Sequence, residues 1–167
     1  MFDKTALDII KDYMLLHQNT IAVAESVTSG LIQTALASAE NASLFYQGGI
    51  TAYNIGQKYR HLFIEPIHAL SCNCVSQKIA ETMALSVCNL FNSNWGIGIT
   101  GYAVPAPESG NELFAFYAVA RNNKVIISKK ITAKKDEPLQ VQLTYINQLL
   151  QDIKQYLLND NNKTMNV

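Results

Sequence analysis

The sequence predicts an α/β fold, a three-layer α/β/α sandwich around one mixed sheet, and three observations carry that prediction. Short apolar runs suited to strands covered on both faces alternate with segments of helical periodicity. Late in the chain, two strand-like segments flank "NN" and read as an antiparallel hairpin, which makes the sheet mixed. The chain has 167 residues, 49% hydrophobic and 16% charged, enough to bury a sizeable core in one domain, and it carries no internal repeat or linker.

The elements follow in order. Residues 3 to 17 place Ala6, Ile9, Ile10, Tyr13, Met14 and Leu16 at helical spacing. "TIAVAE" is a short buried strand, and "TSGLIQTALASA" resumes a helical pattern through Leu31, Ile32, Ala35 and Leu36. "QGGITAY" reads as a second strand, and "NIGQKYRHLFI" as a short helix opened by Asn54. "IEPIHALSCNCVS" is expected to be a loop, ahead of a long helix from about Ser76 to Phe91. "NWGIGITGY" is a third buried strand, and the prolines of "AVPAPESGNE" mark a loop. The hairpin "LFAFYAVAR"–"KVIISKKIT" comes next, then a helix near Asp136 and Pro138. The domain is expected over residues 1–158, with 159–167 a polar, frayed tail.

Thirteen basic residues balance thirteen acidic ones, which argues against a general nucleic-acid binder. The first twenty residues mix acids with apolar positions and read as an amphipathic helix, not a signal peptide. No window has the roughly 18 apolar residues a membrane span needs. The odd count of Cys72, Cys74 and Cys88, with no secretory signal, fits reduced thiols in the cytoplasm. Cys72 and Cys74 are too few and too closely spaced for a zinc framework, even with His68 nearby. No metal or cofactor is expected, and no nucleic-acid or membrane partner.

In α/β sheets, ligands bind beyond the carboxyl ends of the strands. Three such ends are polar here: Glu25-Ser26, Tyr53-Asn54 and Thr100-Gly101. If the strands are neighbours, the three turns share one crevice. After the first strand, Ser26 or Thr28 can cap the following helix, whose unpaired N–H groups can equally hold an anion or oxyanion. In the second turn, Lys58 lies five residues after Tyr53. No Ser-His-Asp set is evident, so a lysine with lowered pKa beside a serine is the available base. A solvated helix lysine is the plainer alternative.

Three segments together are similar to the CinA C-terminal domain, the family of nicotinamide-nucleotide amidohydrolases. "AESVTSG" resembles its A-E-S-C-T-G-G signature, "FYQGGITAYNIGQK" its F-x-x-G-x-x-x-Y-S-N-x-x-K segment, and "GIGITGYAVP" its A-V-T-G-I-A-G-P segment. The resemblance runs from about residue 3 to residue 156. It implies a cytoplasmic, often self-associating hydrolase without a metal or cofactor. Such an enzyme converts nicotinamide mononucleotide to nicotinic acid mononucleotide and ammonia. By position it implies Ser26 as nucleophile, Lys58 as base and Tyr53 as an orienting residue. Thr28, Ser29 and Gly30 would sit at the oxyanion hole, and Gly49, Asn54, Thr100 and Gly101 around the nucleotide. Glu25 matches the motif, with a structural role in bonding backbone N–H groups or pairing with a cation.

The chain also departs from the family pattern. Val27 replaces a cysteine, and Ser29 replaces the first glycine of a pair, a strained exchange if that backbone needs positive φ. Asn54 stands at the family's serine position. The G-P-G-G-G run has become "VPAPESGN", which adds side chains and a carboxylate where backbone donors approach phosphate. Phe114 and Ala115 stand where the family has Gly-Thr, and a bulky Phe114 is expected to occupy ligand space. Two readings therefore stand: an amidohydrolase, or a relative that keeps the fold as a nucleotide-binding or protein-interaction module.

Overall fold

Strand β1 (Ile21–Glu25) is flanked by β2 (Tyr46–Thr51) and β3 (Trp95–Gly101), both parallel to it. Beyond β3, β4 (Phe114–Arg121) and β5 (Lys124–Thr132) continue the sheet antiparallel, in the order β2-β1-β3-β4-β5. The computed structural model describes residues 1–164. Helices α1 (Lys4–Leu16), α2 (Leu31–Ala37) and α6 (Pro138–Thr164) cover one face. Helices α3 (Ile55–Leu62), α4 (Pro66–Ser71) and α5 (Gln77–Phe91) cover the other. The expected three-layer α/β/α arrangement on a mixed sheet is present.

The two faces differ in side-chain size, because a strand's alternate residues point to opposite sides. Ile21, Val23, Trp95, Ile97, Ile99, Tyr117 and Val119 face α1 and α6 in the larger core. Ala22, Ala24, Ala118 and Ala120 face α5. Gly96 and Gly98 continue that small-residue face. A Cβ on either would collide with the carbonyl oxygen of Ala84 or Ala80, so α5 lies directly against the β3 backbone.

Local signals set most element ends. Asp3 caps α1 by accepting from the Ala6 N–H at 2.9 Å, and Asn54 caps α3 by accepting from Gln57 at 3.0 Å. Ser76 caps α5 by accepting from Ile79 at 3.2 Å. In the hairpin turn Asn122 and Asn123 both take positive φ, +50° and +60°, a conformation asparagine tolerates.

Three expectations are corrected. The segment expected as loop contains α4, capped by Glu65, whose carboxylate accepts from Ile67 at 2.8 Å and His68 at 2.7 Å, with Pro66 in the first turn. Six residues are too few to display a helical period. Helix α2 starts at Leu31 instead of near Thr28, because residues 27–30 form a turn. Helix α6 runs to Thr164, past the expected boundary at 158. Asp160 anchors this extension, accepting from Arg121 at 2.8 Å and from the Tyr13 hydroxyl at 3.1 Å. The rest of the expected tail, 165–167, lies outside the described residues.

Candidate active site

The carboxyl ends of β2, β1 and β3 are neighbours, so their three following turns meet at one edge of the sheet. At the end of β1, the Ser26 N–H donates to the Ile99 carbonyl of β3 at 3.1 Å, which pins the turn to its neighbour. The preceding Glu25 is fully buried beneath α2. Its carboxylate accepts from the N–H groups of Gly30 and Ile32 at 3.1 Å and Gln33 at 2.9 Å, and from the Thr28 hydroxyl at 2.5 Å. Glu25 is therefore the cap of α2, which corrects the expectation that Ser26 or Thr28 caps it.

With the cap supplied from the strand, the Ser26 hydroxyl is left for another partner. That partner is Lys58, whose Nζ donates to Ser26 Oγ at 2.8 Å and to the Tyr53 carbonyl at 3.4 Å. Asn54 starts α3 one turn before Lys58, and Lys58 and Leu62 form the helix's buried face. Lys58 is 2% exposed and Ser26 6%. No carboxylate forms an ion pair with Lys58 among the described residues. Burial pulls the Lys58 amine below its usual value, and the thiols of Cys74 and Cys72 oppose that shift weakly. Burial in turn raises the Cys74 thiol, against the pull of the Lys58 charge. A buried amine poised against a buried hydroxyl, with no acid to hold it protonated, suits proton abstraction from that hydroxyl.

Ser26 and Lys58 open onto a cavity of about 570 Å³. Of the expected residues, Ser29, Tyr53, Asn54, Thr100 and Gly101 also line it. Tyr53 contributes differently from expectation: its side chain is 76% exposed, and the group that meets Lys58 is its carbonyl. The Asn54 side chain is engaged as the α3 cap, and Thr100 Oγ1 donates to the Cys74 carbonyl at 2.8 Å.

Glu25, Thr28, Gly30 and Gly49 do not line the cavity. Glu25, Thr28 and Gly30 form the capping network, and Gly49 packs where a Cβ would strike the Val23 carbonyl and the Gln33 side chain. Ser29 does take positive φ, +52°, next to Gly30 at +97°. Ser29 N–H donates to the Ser26 carbonyl and Gly30 N–H to Glu25, so two of the three expected oxyanion donors are occupied. The N–H groups of Val27 and Thr28 have no acceptor among the described residues. Phe114 does not fill the cavity; its ring packs on Tyr102 and Phe116, centroids 5.4 and 5.7 Å away, with Lys130 Nζ over its face at 4.1 Å.

Other lining residues come from elements that no motif marked. Asn73, Cys74 and Val75 follow α4, and Gln142 projects from α6, where its amide donates to the Val27 carbonyl at 2.8 Å. Cys74 was legible only as half of a closely spaced pair. Among the described residues no group of three His, Cys, Asp or Glu side chains could hold a metal ion, and no helix is long and apolar enough to cross a membrane.

Comparison with known proteins agrees with this architecture. The family model of the CinA C-terminal domain matches residues 3–157. A CinA-like protein of Picosynechococcus sp. is 34% identical over 112 residues, 67% of this chain and 27% of that protein. One of Prochlorococcus marinus (strain MIT 9301) is 30% identical over 146 residues, 86% of this chain and 34% of that protein. The chain thus spans about a third or less of the curated relatives it matches. Among solved structures, the competence or damage-inducible protein of Enterobacter asburiae superposes with a TM-score of 0.85 at 21% identity, covering 91% of this chain and 96% of that one. A CinA superfamily protein of Enterobacter cloacae gives 0.85 at 22% identity, covering 91% and 90%. Matched by the family model over nearly its whole length, this chain belongs to the CinA C-terminal domain family.

Proposed function

We propose that the protein is a carboxamide hydrolase of the Ser-Lys type, and that nicotinamide mononucleotide, the substrate the family resemblance implies, is the first amide to test. The observation that supports this reading best is the 2.8 Å contact between Lys58 Nζ and Ser26 Oγ at the floor of the cavity. In its neutral form the amine accepts the Ser26 proton as Oγ bonds to the carboxamide carbon, and the carbonyl π pair moves onto oxygen. The N–H of Val27, which lines the cavity next to the nucleophile, is the backbone donor available to that oxyanion. Collapse breaks the C–N bond, and the Lys58 ammonium protonates the departing nitrogen, which leaves as ammonia. Water then attacks the acyl-serine and gives its proton to Lys58. The carboxylic acid departs as Oγ regains a proton, and no metal or cofactor is needed.

Ammonia release from nicotinamide mononucleotide by the purified protein tests the reading, beside Ser26→Ala and Lys58→Ala. Both variants are expected to lose roughly a thousandfold or more in kcat, since nucleophile and base act as a unit. Release that survives Ser26→Ala would sink the serine mechanism.

A further inference from the structure

We infer that this cavity selects a carboxamide that carries no phosphate, a substrate class narrower than and different from a nucleotide. The inference rests on the amidohydrolase reading above. A bound phosphate dianion is ordinarily met by arginine or lysine side chains, or by a run of backbone N–H groups. Among the described residues lining the cavity, Lys58 is the one cation, and it is buried against Ser26 where the chemistry occurs. Arg60, two residues on, sits beside Tyr59 and Phe63 in a separate depression.

The loop after β3 offers two backbone donors and no cation. Pro105 and Pro107 have no N–H, and those of Ser109, Gly110, Asn111 and Glu112 donate to carbonyls within the loop, so Ala103 and Val104 are the lining residues of this loop whose N–H groups have no acceptor among the described residues. Glu108 adds a negative charge to the same 3-10 turn. Two of the three side-chain amides in the wall donate within the protein, Gln142 to the Val27 carbonyl and Asn73 to the Tyr102 hydroxyl at 3.1 Å, while Asn54 is held through its oxygen as the α3 cap. What remains of the wall is largely apolar: Ile55, Leu70, Val75, Tyr102, Ala103 and Val104. An uncharged ring or alkyl group bearing the carboxamide can lose its water against such a wall at little cost, whereas a phosphate dianion would exchange its hydration for a few neutral donors and no cation besides Lys58.

Nicotinamide mononucleotide and nicotinamide riboside carry the same carboxamide and differ by the phosphate alone, so the pair isolates the question. Ammonia release should give a kcat/KM for the riboside at least equal to that for the mononucleotide. Inorganic phosphate at tenfold the mononucleotide KM should not inhibit. Val104→Arg, which places a cation at the rim, should shift the ratio toward the mononucleotide by about tenfold. Calorimetric titration of Ser26→Ala protein with both ligands should give the same order of affinity. A tenfold or greater preference of the unaltered protein for the mononucleotide overturns this inference and leaves the hydrolase reading standing. No ammonia from either compound overturns the hydrolase reading and this inference with it.

Discussion

Lys58 Nζ lies 2.8 Å from Ser26 Oγ, although 32 residues separate them in the chain, and no carboxylate pairs with the amine among the described residues. Three consequences of that contact and its supports can be measured.

The first concerns pH. The base must be neutral to accept the Ser26 proton, so kcat/KM should rise with pH along a limb set by Lys58 and then level off. Burial places that limb below 10.5, the value of an unperturbed lysine. A pH profile of ammonia release from the best amide substrate checks it. The limb should vanish in Lys58→Arg, whose guanidinium stays charged. A profile flat from pH 6 to 10.5 in the unaltered protein would argue against Lys58 as the base.

The second concerns stability. The folded state holds Lys58 at a lowered pKa, so between that value and 10.5 the unfolded chain binds more protons. Unfolding free energy should therefore increase as pH rises through this window. Lys58→Met removes the buried amine and keeps much of its volume. It should abolish turnover, flatten that slope and raise stability by about 1 kcal/mol, or roughly 2–4 °C in Tm. Thermal unfolding at several pH values reads both effects; a Tm lowered by several degrees would mean that the amine stabilises the fold.

The third concerns Glu25. Its carboxylate holds the first turn of α2 and leaves the Ser26 hydroxyl to Lys58. Glu25→Gln replaces an oxygen that accepts several bonds with an NH₂ group facing N–H donors, which should cost roughly 3 kcal/mol. Urea unfolding measures that loss. Near 10 °C, where the variant remains folded, kcat should fall more than KM rises, because Ser26 is displaced while the cavity wall is not.

Much of the fold was legible in the sequence because its signals are local. Asp3, Asn54 and Ser76 cap their helices through bonds to N–H groups three residues on, a geometry that spacing alone specifies. The paired asparagines 122 and 123 close the hairpin in the same way. Helix α4 was missed because its cap is a glutamate and its length is six residues. The extension of α6 was missed because Asp160 is held by Arg121 and Tyr13, residues 39 and 147 positions away.

The candidate site divides along the same line. By itself the sequence marked Glu25-Ser26, Tyr53-Asn54 and Thr100-Gly101 as polar strand ends, with Lys58 five residues after Tyr53, since turns after buried strands are where polar side chains collect. Only the tertiary structure decided what each of them does. Neighbouring parallel strands bring Ser26 and Lys58 together, and α3 turns Lys58 inward, so desolvation lowers its pKa. Glu25 takes the cap expected of Ser26 or Thr28, and Tyr53 offers its carbonyl while its ring faces solvent. Burial and proximity depend on the whole packed chain, and for that reason no local pattern of residues contained them.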